Sequence, residues 1–179
     1  PAEGVKAMCH EDILRFDEIV EFTKLAVERG IDKVRITGGE PLVRKGITNL
    51  ISLISEIKGI KDLAMTTNGI TLDRFAQDLY SAGLNRVNVS LDTMDPEKYS
   101  KITRGGNIND VFKGIEAAKD AGLTPIKLNC VINKSSDEPD AQAVKEYAEA
   151  NDLKIRFIHL MDHETGYFKP VEGGDGGNC

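Results

Sequence analysis

The amino-acid sequence predicts an α/β protein, a partial (β/α) barrel of parallel strands in which the first strand of the barrel is missing. Stretches with helical hydrophobic spacing alternate strictly with short apolar, β-branched runs, which indicates parallel βα units. In addition, every predicted strand runs out into polar or glycine-rich residues. In a barrel the carboxyl ends of all strands face one site, whereas an open doubly wound sheet binds its ligand at one switch point. The strand ends therefore favour the barrel, with the doubly wound sheet as the alternative.

Five helices and five strands follow in order along the chain. The predicted helices lie at about residues 11–29, 50–58, 72–82, 111–121 and 139–151. The first four stop at a glycine, which is a common helix C-cap, and these are Gly30, Gly59, Gly83 and Gly122. The predicted strands are Lys33 to Thr37, Asp62 to Thr66, Arg86 to Ser90, Ile126 to Val131 and Lys154 to Leu160. Five strands are too few to close a barrel.

Composition sets the class of protein and its partners. The chain has 179 residues, 40% of them hydrophobic and 29% charged, with a formal net charge of −6. We expect one barrel domain over residues 1–162 and a glycine-rich linker over 163–179 that leads to a further cluster domain. The chain is thus expected to be a piece of a longer protein. The acidic balance argues against nucleic-acid binding, and the short apolar runs against a membrane span, so a cytoplasmic location is predicted.

Two features could carry chemistry. Gly38 and Gly39 directly follow the first strand, where they let a ligand approach the backbone; a tight turn without a ligand is the alternative. Arg35 and Lys127 lie within strands. If they point into the barrel they indicate an anionic ligand, and if not they are residues at a strand edge whose charges reach solvent. Schiff-base chemistry at Lys127 is a third option.

The cysteines and histidines give little evidence of a metal site. The three cysteines are too far apart in the sequence to suggest a disulfide framework, and the three histidines have no metal-ligand spacing. Cys130 is predicted to be a small core residue. Cys179 follows a glycine-rich run and suits a ligand of a metal cluster whose other ligands lie elsewhere.

Three segments together resemble the radical S-adenosylmethionine (SAM) enzymes: 38–41 (Gly-Gly-Glu-Pro), 66–69 (Thr-Thr-Asn-Gly) and 89–92 (Val-Ser-Leu-Asp). With the runs at 3–5, 10–14 and 34–42, the chain more closely resembles the GTP 3′,8-cyclases of molybdenum-cofactor biosynthesis. The resemblance implies a partial barrel that binds SAM and GTP over a [4Fe–4S] cluster. The cluster would reduce SAM to a radical that starts cyclisation of GTP.

The resemblance also implies site residues. The SAM site would comprise Gly38, Gly39, Glu40, Pro41, Ser90 and Met161. The GTP site would comprise Arg35, Thr66 and Lys127. The Cys-x3-Cys-x2-Cys cluster set of the family is absent from this sequence, so these 179 residues alone are expected to be inactive. Cys179 would be a ligand of a second cluster. A homodimer and a downstream molybdopterin-pathway enzyme are the expected protein partners.

Three alternatives stay open. A radical SAM enzyme with a second cluster could act on a peptide or another small molecule. A non-catalytic ligand-binding α/β domain would have no redox chemistry. A barrel aldolase would use Lys127 as its Schiff-base lysine.

Overall fold

The computed structural model of the chain describes residues 13–160. The predictions for Met161, Cys179 and the boundary between residues 162 and 163 fall outside this range. No helix within it is both long and apolar enough to cross a membrane.

The described chain alternates helices and strands. The helices are α1 (Phe16–Glu28), α2 (Ile47–Ser55), α3 (Leu72–Ser81), α4 (Pro96–Thr103), α5 (Ile108–Ala121) and α6 (Pro139–Ala150). The strands are β1 (Lys33–Ile36), β2 (Asp62–Thr67), β3 (Arg86–Ser90), β4 (Lys127–Ile132) and β5 (Lys154–His159). A 3₁₀ turn covers Pro41–Val43. The five predicted strands are confirmed to within one residue at each end.

The five strands form one parallel sheet in the order β1-β2-β3-β4-β5, which is the order of the sequence. Crossovers between parallel strands are right-handed, so successive crossovers in one direction place all helices on the same face of the sheet. A doubly wound sheet reverses direction at a switch point, and the described strands do not. The partial barrel is therefore confirmed.

The hydrophobic core lies between the sheet and the helices. The sheet contributes the apolar residues of alternate positions, which include Leu63, Met65, Val87, Val89 and Leu128, all at most 1% exposed. Helices α2, α3, α5 and α6 cover them with their apolar faces. Burial of this area drives folding and leaves the opposite face of the sheet free of helices in the described part of the chain.

Helix α4 is an element that the hydrophobic pattern does not predict. It has eight residues and buries only Tyr99, so its apolar periodicity is weak. Its start is nevertheless visible in the sequence, because Asp95 caps the helix and Pro96 occupies its first turn. The Asp95 carboxylate accepts hydrogen bonds from the backbone N–H groups of Glu97 (2.8 Å) and Lys98 (3.1 Å).

The predicted helix ends at Gly30, Gly83 and Gly122 are confirmed. The prediction that the second helix ends at Gly59 is wrong, because α2 ends at Ser55 and Gly59 lies in the turn that follows it. Gly59 and Gly83 adopt φ of +110° and +97°, a left-handed conformation that side chains disfavour. A Cβ at Gly59 would lie 2.6 Å from the Val27 side chain, and one at Gly83 would lie 2.6 Å from Ser55. These two glycines thus combine backbone freedom with close packing.

Candidate functional site

The sheet face that carries no helices in the described chain is called the open face here. Side chains alternate between the two faces of a strand, and the parallel register aligns them across strands. The open face consists mainly of polar residues. It is formed by Lys33, Arg35, Asp62, Ala64, Thr66, Arg86, Asn88, Ser90, Lys127, Asn129, Val131, Lys154, Arg156 and Ile158.

The structure brings the predicted GTP residues together on the open face. Thr66, Asn88 and Lys127 form one row across β2, β3 and β4. Arg35 lies on the neighbouring strand β1, beside Ala64 and one row below Thr66. The two strand cations thus lie on the same face of the sheet.

Lys127 lies in a field of other cations. Partial burial lowers the pKa of Lys127 from its usual value, and the positive charges of Arg156, Arg86 and Arg35 lower that pKa further. Asp62 opposes this shift. Three other basic side chains therefore act on Lys127 on the open face, with a single carboxylate among the groups that shift its pKa.

That carboxylate is already engaged. Asp62 accepts two hydrogen bonds from Arg86, at 2.9 Å from Nε and 2.7 Å from Nη2, and both side chains are about four-fifths buried. The bidentate geometry fixes the guanidinium plane. Within residues 13–160 no carboxylate pairs with Arg35, Lys127 or Arg156. These three residues are called the cationic group below.

Arg156 was not singled out by the sequence analysis. Its strand alternates Lys154, Arg156 and Ile158 with Ile155 and Phe157, and the second set is the more buried. This alternation could have identified Arg156 from the sequence, since it places Arg156 on the same face as the polar residues of the neighbouring strands.

The glycine pair after β1 is open to ligands. A Cβ built on Gly38 or Gly39 would meet no atom within 4 Å. Open space therefore lies beside the backbone of both glycines. Pro41 is buried at the start of the 3₁₀ turn and so fixes the exit of the loop.

Glu40 joins the first two loops at the carboxyl end of the sheet. Its Oε1 accepts hydrogen bonds from the Leu42 N–H (3.0 Å) and the Thr67 hydroxyl (2.8 Å), and its Oε2 accepts one from the Asn68 N–H (2.7 Å). The carboxylate therefore organises the loops beside the glycine pair. It keeps acceptor capacity on Oε2, since a carboxylate oxygen has two lone pairs.

Ser90, which is predicted to bind SAM, is the last residue of β3. It is exposed and lies beside Asn129 of β4. The Asn129 Oδ1 atom is buried and has no hydrogen-bond partner among residues 13–160. An unpaired buried acceptor is costly, so it indicates a missing donor such as a ligand hydroxyl or amine. Asn129 is a second site candidate that the sequence analysis did not single out. Only the strand register could place it beside Ser90 and Arg156.

Asp92 closes the loop after β3 onto β4. Its Oδ1 accepts a hydrogen bond from the Val131 N–H at 2.8 Å, while burial raises the pKa of this carboxyl group. It thereby fixes the third loop beside Ser90.

The described residues do not fit a metal cluster. Within residues 13–160 no three His, Cys, Asp or Glu side chains are grouped closely enough to hold an ion. Cys130 is fully buried among the apolar side chains that face the helices, and burial raises its pKa to about 12, so its thiol stays protonated. The prediction that it is a core residue is confirmed. Cys179 lies outside the described range.

Comparison with known proteins agrees with this geometry. The model of the Radical SAM superfamily matches residues 5–148. A GTP 3′,8-cyclase of Thermodesulfovibrio yellowstonii is 48% identical over 162 residues, which are 90% of this chain and 50% of that protein. A GTP 3′,8-cyclase of Peptoclostridium acidaminophilum is 45% identical over 166 residues, 93% of this chain and 51% of that protein. The chain thus spans about half the length of the curated relatives it matches.

Solved structures share the fold at low sequence identity. Methylornithine synthase superposes with a TM-score of 0.67 at 19% identity, covering 83% of this chain and 44% of that one. The protein anSMEcpe with bound AdoMet superposes with a TM-score of 0.66 at 20% identity, covering 84% and 44%. Together, the single-direction parallel sheet, the Gly-Gly-Glu-Pro loop and the match over residues 5–148 show that this chain belongs to the radical SAM superfamily.

Proposed function

We propose that this chain is the SAM- and GTP-binding barrel of a GTP 3′,8-cyclase that acts in molybdopterin synthesis. The observation that carries the substrate assignment is the cationic group, Arg35, Lys127 and Arg156, on the open face. The curated relatives named GTP 3′,8-cyclase support the same choice. The cytosolic location, a homodimer and a downstream pathway enzyme stay predictions from the sequence.

The charges of the open face suit a triphosphate. Partial burial first, and repulsion by the neighbouring arginines second, lower the pKa of Lys127, so its charge is held on the open face at a cost. A polyanion bound by the cationic group would remove this cost and accept charge-assisted hydrogen bonds from all three. Arg86 is neutralised by Asp62, so it contributes less to this attraction.

SAM would bind at the carboxyl end of the sheet. The open backbone at Gly38 and Gly39 suits the amino-acid end of SAM, and the free lone pair of Glu40 Oε2 suits its ammonium group. Ser90 and the unpaired Asn129 Oδ1 suit the ribose hydroxyls. Met161 is assigned to this cofactor by the family resemblance alone.

The described residues offer no ligand set for the [4Fe–4S] cluster that radical SAM enzymes use to donate an electron to SAM. The roles argued for this chain are therefore to bind and orient the nucleotide and the cofactor. We expect these 179 residues alone to be inactive, because the sequence lacks the Cys-x3-Cys-x2-Cys set.

The test uses the protein encoded by the complete reading frame, reconstituted anaerobically with iron and sulfide. With SAM and reductant, 5′-deoxyadenosine should form only when GTP is present, and calorimetry should show GTP binding. Production regardless of GTP, or the absence of GTP binding, would refute the substrate assignment.

Two variants separate the two ligands. Arg156→Met should weaken GTP binding at least tenfold, because a charged hydrogen bond to phosphate is worth about 1.5–3 kcal/mol. It should leave SAM binding unchanged. Gly39→Ala should weaken SAM binding without lowering the melting temperature, because its Cβ enters open space. An equal loss of both ligands in either variant would contradict the assignment.

A further inference from the structure

Asn88 is a buried polar residue at the centre of the open face. Its side chain is 2% exposed, and it stands between Thr66 on β2 and Lys127 on β4. A buried amide without partners would destabilise the fold, so its hydrogen bonds decide its role. Both of its amide ends are used.

The orientation of the Asn88 amide follows from the chemistry of Arg86. The Arg86 Nη1 lies 3.4 Å from the Asn88 Oδ1, and a guanidinium can only donate hydrogen bonds. The end of the amide that faces Arg86 must therefore be the oxygen. The bidentate pair with Asp62 holds Arg86 in place, which leaves the amide no alternative orientation.

The opposite end of the amide then acts on Thr66. The Asn88 Nδ2 donates to the Thr66 Oγ1 at 3.3 Å. A hydroxyl whose oxygen accepts from this side must direct its own proton elsewhere. Among residues 13–160 no acceptor is hydrogen-bonded to that proton. The Thr66 side chain is half-buried on the open face, in the row of Asn88 and Lys127 and one row above Arg35.

We propose that Asn88, oriented by Arg86, is a positioning residue that makes the Thr66 hydroxyl a hydrogen-bond donor to an anionic oxygen of the bound nucleotide. This inference rests on the proposed function for the identity of the nucleotide. Asn88 does not contact the ligand in this scheme. Successive hydrogen bonds thus connect the ion pair of Asp62 and Arg86, at the amino ends of the strands, through Asn88 to the Thr66 hydroxyl.

The test is a double-variant cycle in the cluster-loaded protein from the complete reading frame. Asn88→Leu removes the amide at similar volume, and Thr66→Val removes the hydroxyl at similar shape. Each single variant should weaken GTP binding by about tenfold, the value of one hydrogen bond to a charged group. The double variant should be no weaker than either single variant, because both remove the same hydrogen bond. Thr66→Ser should keep the affinity of the wild type.

Effects that multiply in the double variant would overturn the inference, as would an Asn88→Leu protein that binds GTP like the wild type. If Asn88→Leu does not fold, Asn88→Ser provides the same cycle, since its short side chain cannot reach from Arg86 to Thr66. A wild-type protein that binds inorganic triphosphate but not GTP would refute the proposed substrate, and the cycle would then be measured with triphosphate. Binding of neither would overturn both.

Discussion

Glu40 illustrates how a single side chain can hold two neighbouring loops in shape. The family resemblance predicts that Glu40 binds the cofactor, yet its carboxylate accepts three hydrogen bonds from the protein itself. Two of these come from the last residue of β2 and the first residue of the loop after it, 27 and 28 residues further along the chain. The sequence cannot show this pairing, because it depends on β1 and β2 being neighbours in the sheet.

Glu40→Gln should therefore lower the stability of the fold. A glutamine has one carbonyl oxygen, and its NH₂ group would face a donor where a carboxylate oxygen now accepts. Leaving a half-buried donor unsatisfied costs about 1–3 kcal/mol, which chemical denaturation should show as a lower free energy of unfolding. Glu28→Gln, at an exposed position of α1, is the matched control and should change nothing. Equal stability of the two variants would contradict the structural role of Glu40.

Helix α5 illustrates how packing between elements overrides local propensity. Gly114 lies in the middle of this helix, where alanine would normally be more favourable by about 0.5–1 kcal/mol. A Cβ at this position would lie 2.4 Å from the Gly69 carbonyl oxygen and 3.0 Å from the Leu72 Cβ. The glycine thus permits α5 to pack closely against the start of α3.

Gly114→Ala should destabilise the protein by about 1–3 kcal/mol, because the nearest atom belongs to the backbone and cannot simply rotate away. Thermal or chemical unfolding measures this loss. The exposed Asp120→Ala, in the last turn of the same helix, serves as the control and should be neutral or slightly stabilising. A stabilised Gly114→Ala variant would show that propensity outweighs packing here.

A polar contact also joins the loop after β3, helix α4 and helix α6. Asp140 at the start of α6 accepts hydrogen bonds from the Thr93 hydroxyl (2.7 Å) and the Lys98 Nζ (3.0 Å). The Thr93 hydrogen bond first, and Lys98 second, lower the pKa of Asp140. A carboxyl group with a lowered pKa in the folded state stabilises the fold above its unfolded pKa, about 3.9, and loses this effect as the pH falls.

Asp140→Asn should consequently cost about 0.5–1 kcal/mol at pH 7, a modest value because the ion pair is partly exposed. The difference from the wild type should begin to shrink as the pH falls below about 4, where the unfolded chain takes up the proton of Asp140 before the folded protein does. Unfolding measured between pH 3 and 7 tests this, with Asp78→Asn at an exposed position of α3 as the matched control. A constant difference over this range would argue against a charge effect.

Over the whole molecule, the sequence predicts the fold better than it predicts the site. The strands and most helices follow from hydrophobic spacing, since both depend on local pattern. Helix α4 was not predicted, because it buries only one residue and so has no clear hydrophobic spacing, although its N-cap Asp95 can be recognised in the sequence. Asn129 and Arg156 were not predicted, because Asn129 lies beside Ser90, and Arg156 beside Asn129, only through the register between strands, which no local pattern gives.

The two faces of the sheet differ in composition and charge. The core between sheet and helices is apolar, whereas the open face keeps like charges close together without a ligand. A lysine whose pKa is lowered in the folded state weakens the fold while it is protonated, so stability should increase with pH as Lys127 loses its proton. Removal of this charge should have the same effect at neutral pH.

Lys127→Met should therefore raise the melting temperature of the ligand-free protein and reduce its response to polyphosphate. Triphosphate at about 100 times its Kd should stabilise the wild type by about 2.7 kcal/mol, or roughly 5–10 °C. The shift should be several-fold smaller in the variant. Lys58→Met removes an equal charge from the exposed turn after α2 and should alter neither quantity. If Lys127→Met melts below the wild type, the charge of Lys127 is not held at a cost. If the variant keeps its full shift with triphosphate, Lys127 does not bind the anion.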